Sequence, residues 1–138
     1  MKRMRNVIPI AAFALMLWAL FAHAHHGYDT AYDGGRLLTL KGSVVAFAVE
    51  NPHSRIVVEV KDARGNSETW TVETVPASRV AQMQHPLGRV NLKPGAQVTV
   101  TGWPARDGSK RLGGHTLTPP DGAVIMLRPA IHLPARRD

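Results

Sequence analysis

One run of residues, Leu37 to Val49, constrains this chain more than any other. It reads Leu-Leu-Thr-Leu-Lys-Gly-Ser-Val-Val-Ala-Phe-Ala-Val, β-branched and apolar, and it outruns the usual strand of about 5–6 residues. Gly42 stands near its middle. A glycine inside a strand marks a bulge or a sharp bend. A strand that bends can serve two layers of a sheet, and a small barrel needs such a strand to close.

The rest of the pattern agrees. Glu50-Asn51-Pro52-His53 is a turn, because Asn-Pro initiates turns and proline has no donor for a ladder. Arg55 to Lys61 predicts a second strand, Asp62 to Asn66 a hairpin loop, and Glu68 to Val75 a third strand. In that third strand Trp70, Val72 and Thr74 share one side, with Thr69, Thr71 and Glu73 on the other. Pro76 to Met83 changes period: Val80 and Met83 are spaced i, i+3, and Pro76 suits a helix start. The short helix ends before His85-Pro86-Leu87-Gly88. Leu92 to Gly95 is a tight turn, Ala96 to Trp103 a fourth strand, and Pro104 to Lys110 a polar loop. Arg111 to Thr118 predicts a fifth strand, and Ala123 to Leu127 a short last one. His25 to Arg36 reads as an irregular lead-in, and residues 129–138 read as a loose tail. A bent strand, two strands, a helix and two more strands is the connectivity of an OB-fold. The expected fold class is therefore all-β, an OB-fold-like five- to six-stranded Greek-key barrel with one short helix between strands three and four. Another small barrel or a sandwich is the alternative.

The amino-terminal end sets the location. Lys2, Arg3 and Arg5 precede an apolar run from Val7 to Phe21, and Ala22-His23-Ala24 supplies small residues at the two positions a signal peptidase reads. A spanning helix needs about 20 apolar residues, more than this run offers. The reading is a signal peptide over residues 1–24, a barrel domain over 25–128, and a periplasmic protein without a stable membrane span. Removal of residues 1–24 from the 138 leaves 114, room for one core. It also removes three basic residues, so the net charge of +7 falls to +4. That mild charge on an exported chain argues against nucleic acid as a partner and favours an anionic small ligand or another protein. With no cysteine, the chain has no disulfide, c-type haem attachment or thiol centre.

Cleavage after Ala24 exposes a free amine on His25, followed by His26. Amine, amide and imidazole nitrogens suit Cu(II), which favours tetragonal nitrogen coordination. His53, in the turn between strands one and two, is the natural third ligand to test. In an OB-fold that turn borders the binding face together with the loop between strands four and five. Asn51, His53, Trp103, Arg106, Asp107, Lys110 and Arg111 are therefore the candidate ligand-binding residues. Trp103 offers a ring for stacking and the basic residues offer charge for an anion. His85 and His132, beside prolines, read as solvated. Glu50 and Glu73 form a carboxylate pair on paper, but nothing in their spacing joins them. No Gly-x-Ser-x-Gly, Walker or His-Glu-x-x-His motif appears.

Several segments carry a family resemblance: Leu40-Lys41-Gly42-Ser43-Val44, Glu50-Asn51-Pro52-His53-Ser54, Glu68-Thr69-Trp70, Lys93-Pro94-Gly95, Val98-Thr99-Val100-Thr101-Gly102 and Pro104-Ala105-Arg106-Asp107-Gly108. With the Ala24-His25-His26 start, the chain resembles a family of exported bacterial proteins known as a domain of unknown function. The resemblance covers nearly all of residues 22–122. It implies a small periplasmic protein and brings no catalytic residue with it. The expected function is that of a non-enzymatic binding or accessory protein. A copper protein using His25, His26 and His53 is the alternative, and a hydrolase the distant one.

Overall fold

A strand that turns a corner organises the barrel. In a computed structural model, which describes residues 27, 30–82 and 85–128, β1 spans Leu38–Ala48. Its first half pairs antiparallel with β4 (Gln97–Pro104), from Leu38↔Gly102 to Ser43↔Gln97. Its second half pairs with β2 (Arg55–Lys61), from Gly42↔Val60 to Ala48↔Arg55. Only Gly42 and Ser43 belong to both ladders. The carbonyl of Glu59 fills the space that a Cβ at position 42 would need, so the corner requires glycine. A register shift between Val44 and Ala46 adds a bulge just beyond it.

β2 continues into β3 (Ser67–Glu73) through a hairpin. The Asp62 carboxylate closes its loop by accepting the N–H groups of Arg64 at 2.8 Å and Asn66 at 2.9 Å. A single turn of helix, α1 (Ala77–Ala81), follows, and a 3₁₀ turn, Pro86–Arg89, comes after it. The sequence predicts one helix over this stretch. The second turn forms because His85 caps it, its Nδ1 accepting the Leu87 N–H at 3.2 Å. Val80 and Leu87 are buried from these two turns and cover one end of the core.

β5 (Arg111–Thr118) closes the structure. It pairs antiparallel with β4 and, at its start, parallel with β3 through Thr71↔Arg111, Val72↔Leu112 and Glu73↔Gly113. The strands thus run β3-β2-β1-β4-β5 and return to β3, a closed five-stranded OB-fold-like barrel. β6, two residues long (Ile125–Met126), adds to the far half of β5. Ile56, Val58, Val72, Val100, Leu112 and Leu117 fill the interior with no exposed surface.

The lead-in is more than a loose approach. Tyr32 bridges to Ala105 and is buried with Trp103 and Ala105 in a small second cluster. Residues 1–24, read above as a signal peptide, His25 and His26, and residues 129–138, read as a tail, lie outside the described residues. No helix among the described residues is long and apolar enough to cross a membrane.

Candidate functional site

The β1–β2 loop is held from beneath. Its Asn51–Pro52 peptide bond is cis. Ser54 is fully buried at the loop's end, its N–H donating to the Val75 carbonyl at 2.9 Å and its hydroxyl lying 3.4 Å from the Glu50 nitrogen. The Ala77 N–H, at the start of α1, donates to the Glu50 carbonyl at 3.0 Å. Loop and helix are thereby one unit, and His53 projects from it.

His53 faces two neighbours of opposite charge. Its Nδ1 lies 3.4 Å from the carboxylate of Glu73, at the end of β3. Arg128, which lines the same cleft and donates from Nη2 to the Thr74 carbonyl at 2.9 Å, acts on the ring through its positive charge. Burial, followed by the charge of Arg128, pushes the His53 imidazole below its ordinary value, and Glu73 offsets part of that. The ring is therefore held in its neutral form near neutral pH.

Beyond His53 opens a cleft of ≈ 550 Å³ between the β1–β2 loop, α1, the 3₁₀ turn and the strand end after β6. His53, Arg79, His85 and Arg128 supply its polar lining, and among the described residues no acidic side chain lines it. Arg79 is exposed and makes no ion pair among the described residues. His85, expected to be solvated, is tied at both nitrogens: Nδ1 accepts from Leu87 and Nε2 donates to the Met126 carbonyl at 2.8 Å. It locks the 3₁₀ turn to β6, which a reading of its proline neighbour does not show. On the other flank of His53, Glu50, Asn51, Arg55 and Glu73 line a smaller cavity of ≈ 270 Å³. Glu50 and Glu73, which spacing alone does not connect, meet there because Arg55 pairs with Glu73 in the sheet and its side chain bonds Glu50.

The β4–β5 connection reaches this region through Arg111, the first residue of β5. Arg111 lies 3.8 Å from Glu73, so one carboxylate stands between His53 and Arg111. Sequence reasoning passed over Glu73 as a site residue. Its outward place in the alternation is the one signal that marks it. Arg111 and the two cations of the loop each stand near an acid. Arg111 donates to Asp107 at 2.8 Å, Lys110 to Glu68 at 2.9 Å, and Arg106 stands 4.0 Å from Asp33. Asp107 is held at about 2, first by the Ser109 hydroxyl and N–H and then by Arg111. Lys110 also sits 5.0 Å over the Trp70 ring.

Trp103 does not face the rim as an open platform. It is 5 % exposed, covered by Tyr32 and tilted against the His115 ring at 4.9 Å. His115 in turn donates from Nδ1 to the Arg128 carbonyl at 2.8 Å, which anchors the strand end that carries Arg128. Among the described residues no group of three metal-ligating side chains comes together. A larger hollow of ≈ 600 Å³ lies over Gly42 on the outer face of β1. Its charges are mixed, Lys41 and Lys61 with Glu59, and it holds no imidazole. The cleft at His53 is the more distinctive chemistry.

Fold and cleft together define a small OB-like barrel with a basic hollow beside its first loop. The chain belongs to DUF6152, a family of unknown function, whose profile matches residues 14–114. Comparison with curated proteins and with solved structures gives no match.

Proposed function

We propose that this is an exported, non-enzymatic accessory protein that binds a small anionic ligand. The observation that carries this reading is the cleft at His53. Three segments distant in sequence converge on it, bringing His53, Arg79 with His85, and Arg128, and among the described residues none delivers an acid. A concave site with a few convergent polar groups is the usual form of a small-ligand site. The neutral His53 donates or accepts a hydrogen bond at such a ligand, while Arg79 and Arg128 supply charge. Export is supported by the basic, apolar and small-residue order of residues 1–24.

The copper reading draws on one observation, the nitrogen of His53 beside the oxygen of Glu73. Against it, Arg128 already disfavours positive charge on that ring, and a divalent cation there meets the same repulsion. The anion reading is therefore preferred.

Calorimetric titration of the processed protein with acetate and with inorganic phosphate tests it. Saturable binding is expected, weakened about tenfold by Arg79→Gln, the loss of one charge-assisted contact. Binding indifferent to Arg79, or none, overturns the reading. Tight Cu(II) binding lost in His53→Ala restores the copper alternative.

A further inference from the structure

We infer that the ligand of this cleft is an alkyl carboxylate, one anionic head on an apolar body. The inference rests on the anion reading above and adds the chemistry of the remaining walls. Those walls are apolar: Val75 and Leu127 are buried beneath the cleft, and Pro52, Pro76 and Met126 complete it. Met126 is 58 % exposed, and Val124, two residues before it, is 68 % exposed, so exposed apolar surface continues along the chain beyond the cleft. A bare inorganic anion would satisfy the cations and leave this surface wet. An apolar chain attached to the anion covers it, and removing apolar surface from water is favourable in proportion to area. A methionine wall also adapts to chains of varied shape.

The head group is a monoanion for an electrostatic reason. Glu73 stands 3.4 Å behind His53, and its charge opposes any additional negative charge brought to the imidazole. A carboxylate places one charge toward Arg79 and Arg128. A phosphate dianion places two in the same field.

A chain-length series of free carboxylates, from acetate to octanoate, read by calorimetry on the full processed protein, tests this. Affinity is expected to rise about fourfold for each buried methylene. 1-Octanol and octyltrimethylammonium are expected to bind far more weakly than octanoate. Met126→Gln, a change at an exposed position, is expected to weaken octanoate several-fold more than it weakens acetate. Acetate and phosphate binding that depends on Arg79, with no gain along the series, overturns the alkyl assignment and leaves the anion reading standing. Equal binding of octanol and octanoate overturns both. Co-sedimentation with phosphatidylglycerol vesicles in the absence of octanoate binding assigns the anion to a membrane surface and overturns the free-ligand assignment.

Discussion

Nδ1 of His53 and the carboxylate of Glu73 face each other at 3.4 Å, across the junction of the first loop and the third strand. The carboxylate favours the protonated ring, yet burial and Arg128 outweigh it, and the imidazole is pushed below its ordinary 6.5. An NMR titration of the His53 ring should therefore give a midpoint under 6.5. Glu73→Gln should lower it further, because the one neighbour that favours the proton has gone. The linkage has a definite sign. Between the folded midpoint and 6.5 the unfolded chain binds more protons, so this group's contribution to stability is present above 6.5 and is lost as pH falls through the folded midpoint. A midpoint at or above 6.5 would refute the balance of forces.

Gly42→Ala should be among the most damaging single-atom additions to the barrel. The new methyl group meets the Glu59 carbonyl and comes within 3.0 Å of the Val58 side chain, and a backbone carbonyl engaged in a ladder cannot step aside. Overpacking of this kind costs about 1–3 kcal/mol, and the upper end is expected here. Urea unfolding of the variant measures it; a loss under about 0.5 kcal/mol would show that the corner relaxes.

Gly114→Ala tests the strand end that bears Arg128. A Cβ there stands 2.7 Å from Leu127 Cδ1 and 2.9 Å from Val72 Cγ1. Leu127 is the softer neighbour, so its segment should shift, at a cost of about 1–2 kcal/mol. Met126 and Arg128 flank Leu127, so binding of octanoate should weaken in parallel with the unfolding midpoint. Full affinity in a destabilised variant would separate cleft and strand end.

Asp107 should titrate at about 2, followed through its side-chain carboxyl carbon. Ser109→Ala should raise that midpoint, since the serine hydroxyl and N–H are its leading stabilisers. The folded value lies below the unfolded one, so whatever stability this turn contributes is present above the ordinary carboxylate range and lost as pH falls through about 2. An Asp107 midpoint near 4 in the intact protein would dissolve the turn as drawn.

The barrel was legible in the sequence where local chemistry speaks: Gly42 in a β-branched run, the Asp62–Asn66 hairpin, the alternation around Trp70. Its closure was not. The parallel pairing of Thr71 to Glu73 with Arg111 to Gly113 joins residues forty apart and leaves no local mark. Trp103 shows the same limit. At a strand end beside Pro104 it reads as a surface ring, and the residue that covers it, Tyr32, comes from a polar stretch with no periodicity. Arg106, Lys110 and Arg111 read as a basic patch, but each stands near an acid: Asp33 and Glu68, brought from other segments, or Asp107 in the same loop. His53 was legible as a residue of the loop between the first two strands. Its partners Arg79, His85 and Arg128 were not, because one helical turn, one 3₁₀ turn and a strand end of four residues carry too short a pattern to locate.

β5 carries a burden that bears on how the chain reaches this state. It supplies one partner edge to β4, another to β3, and the ledge on which β6 rests. Without residues 111–118 in place, the order β3-β2-β1-β4 has two unpaired borders, one at each side of a four-stranded ribbon. Such borders recruit strands from other molecules. Folding of the barrel thus has self-association as a competitor until β5 docks against both borders.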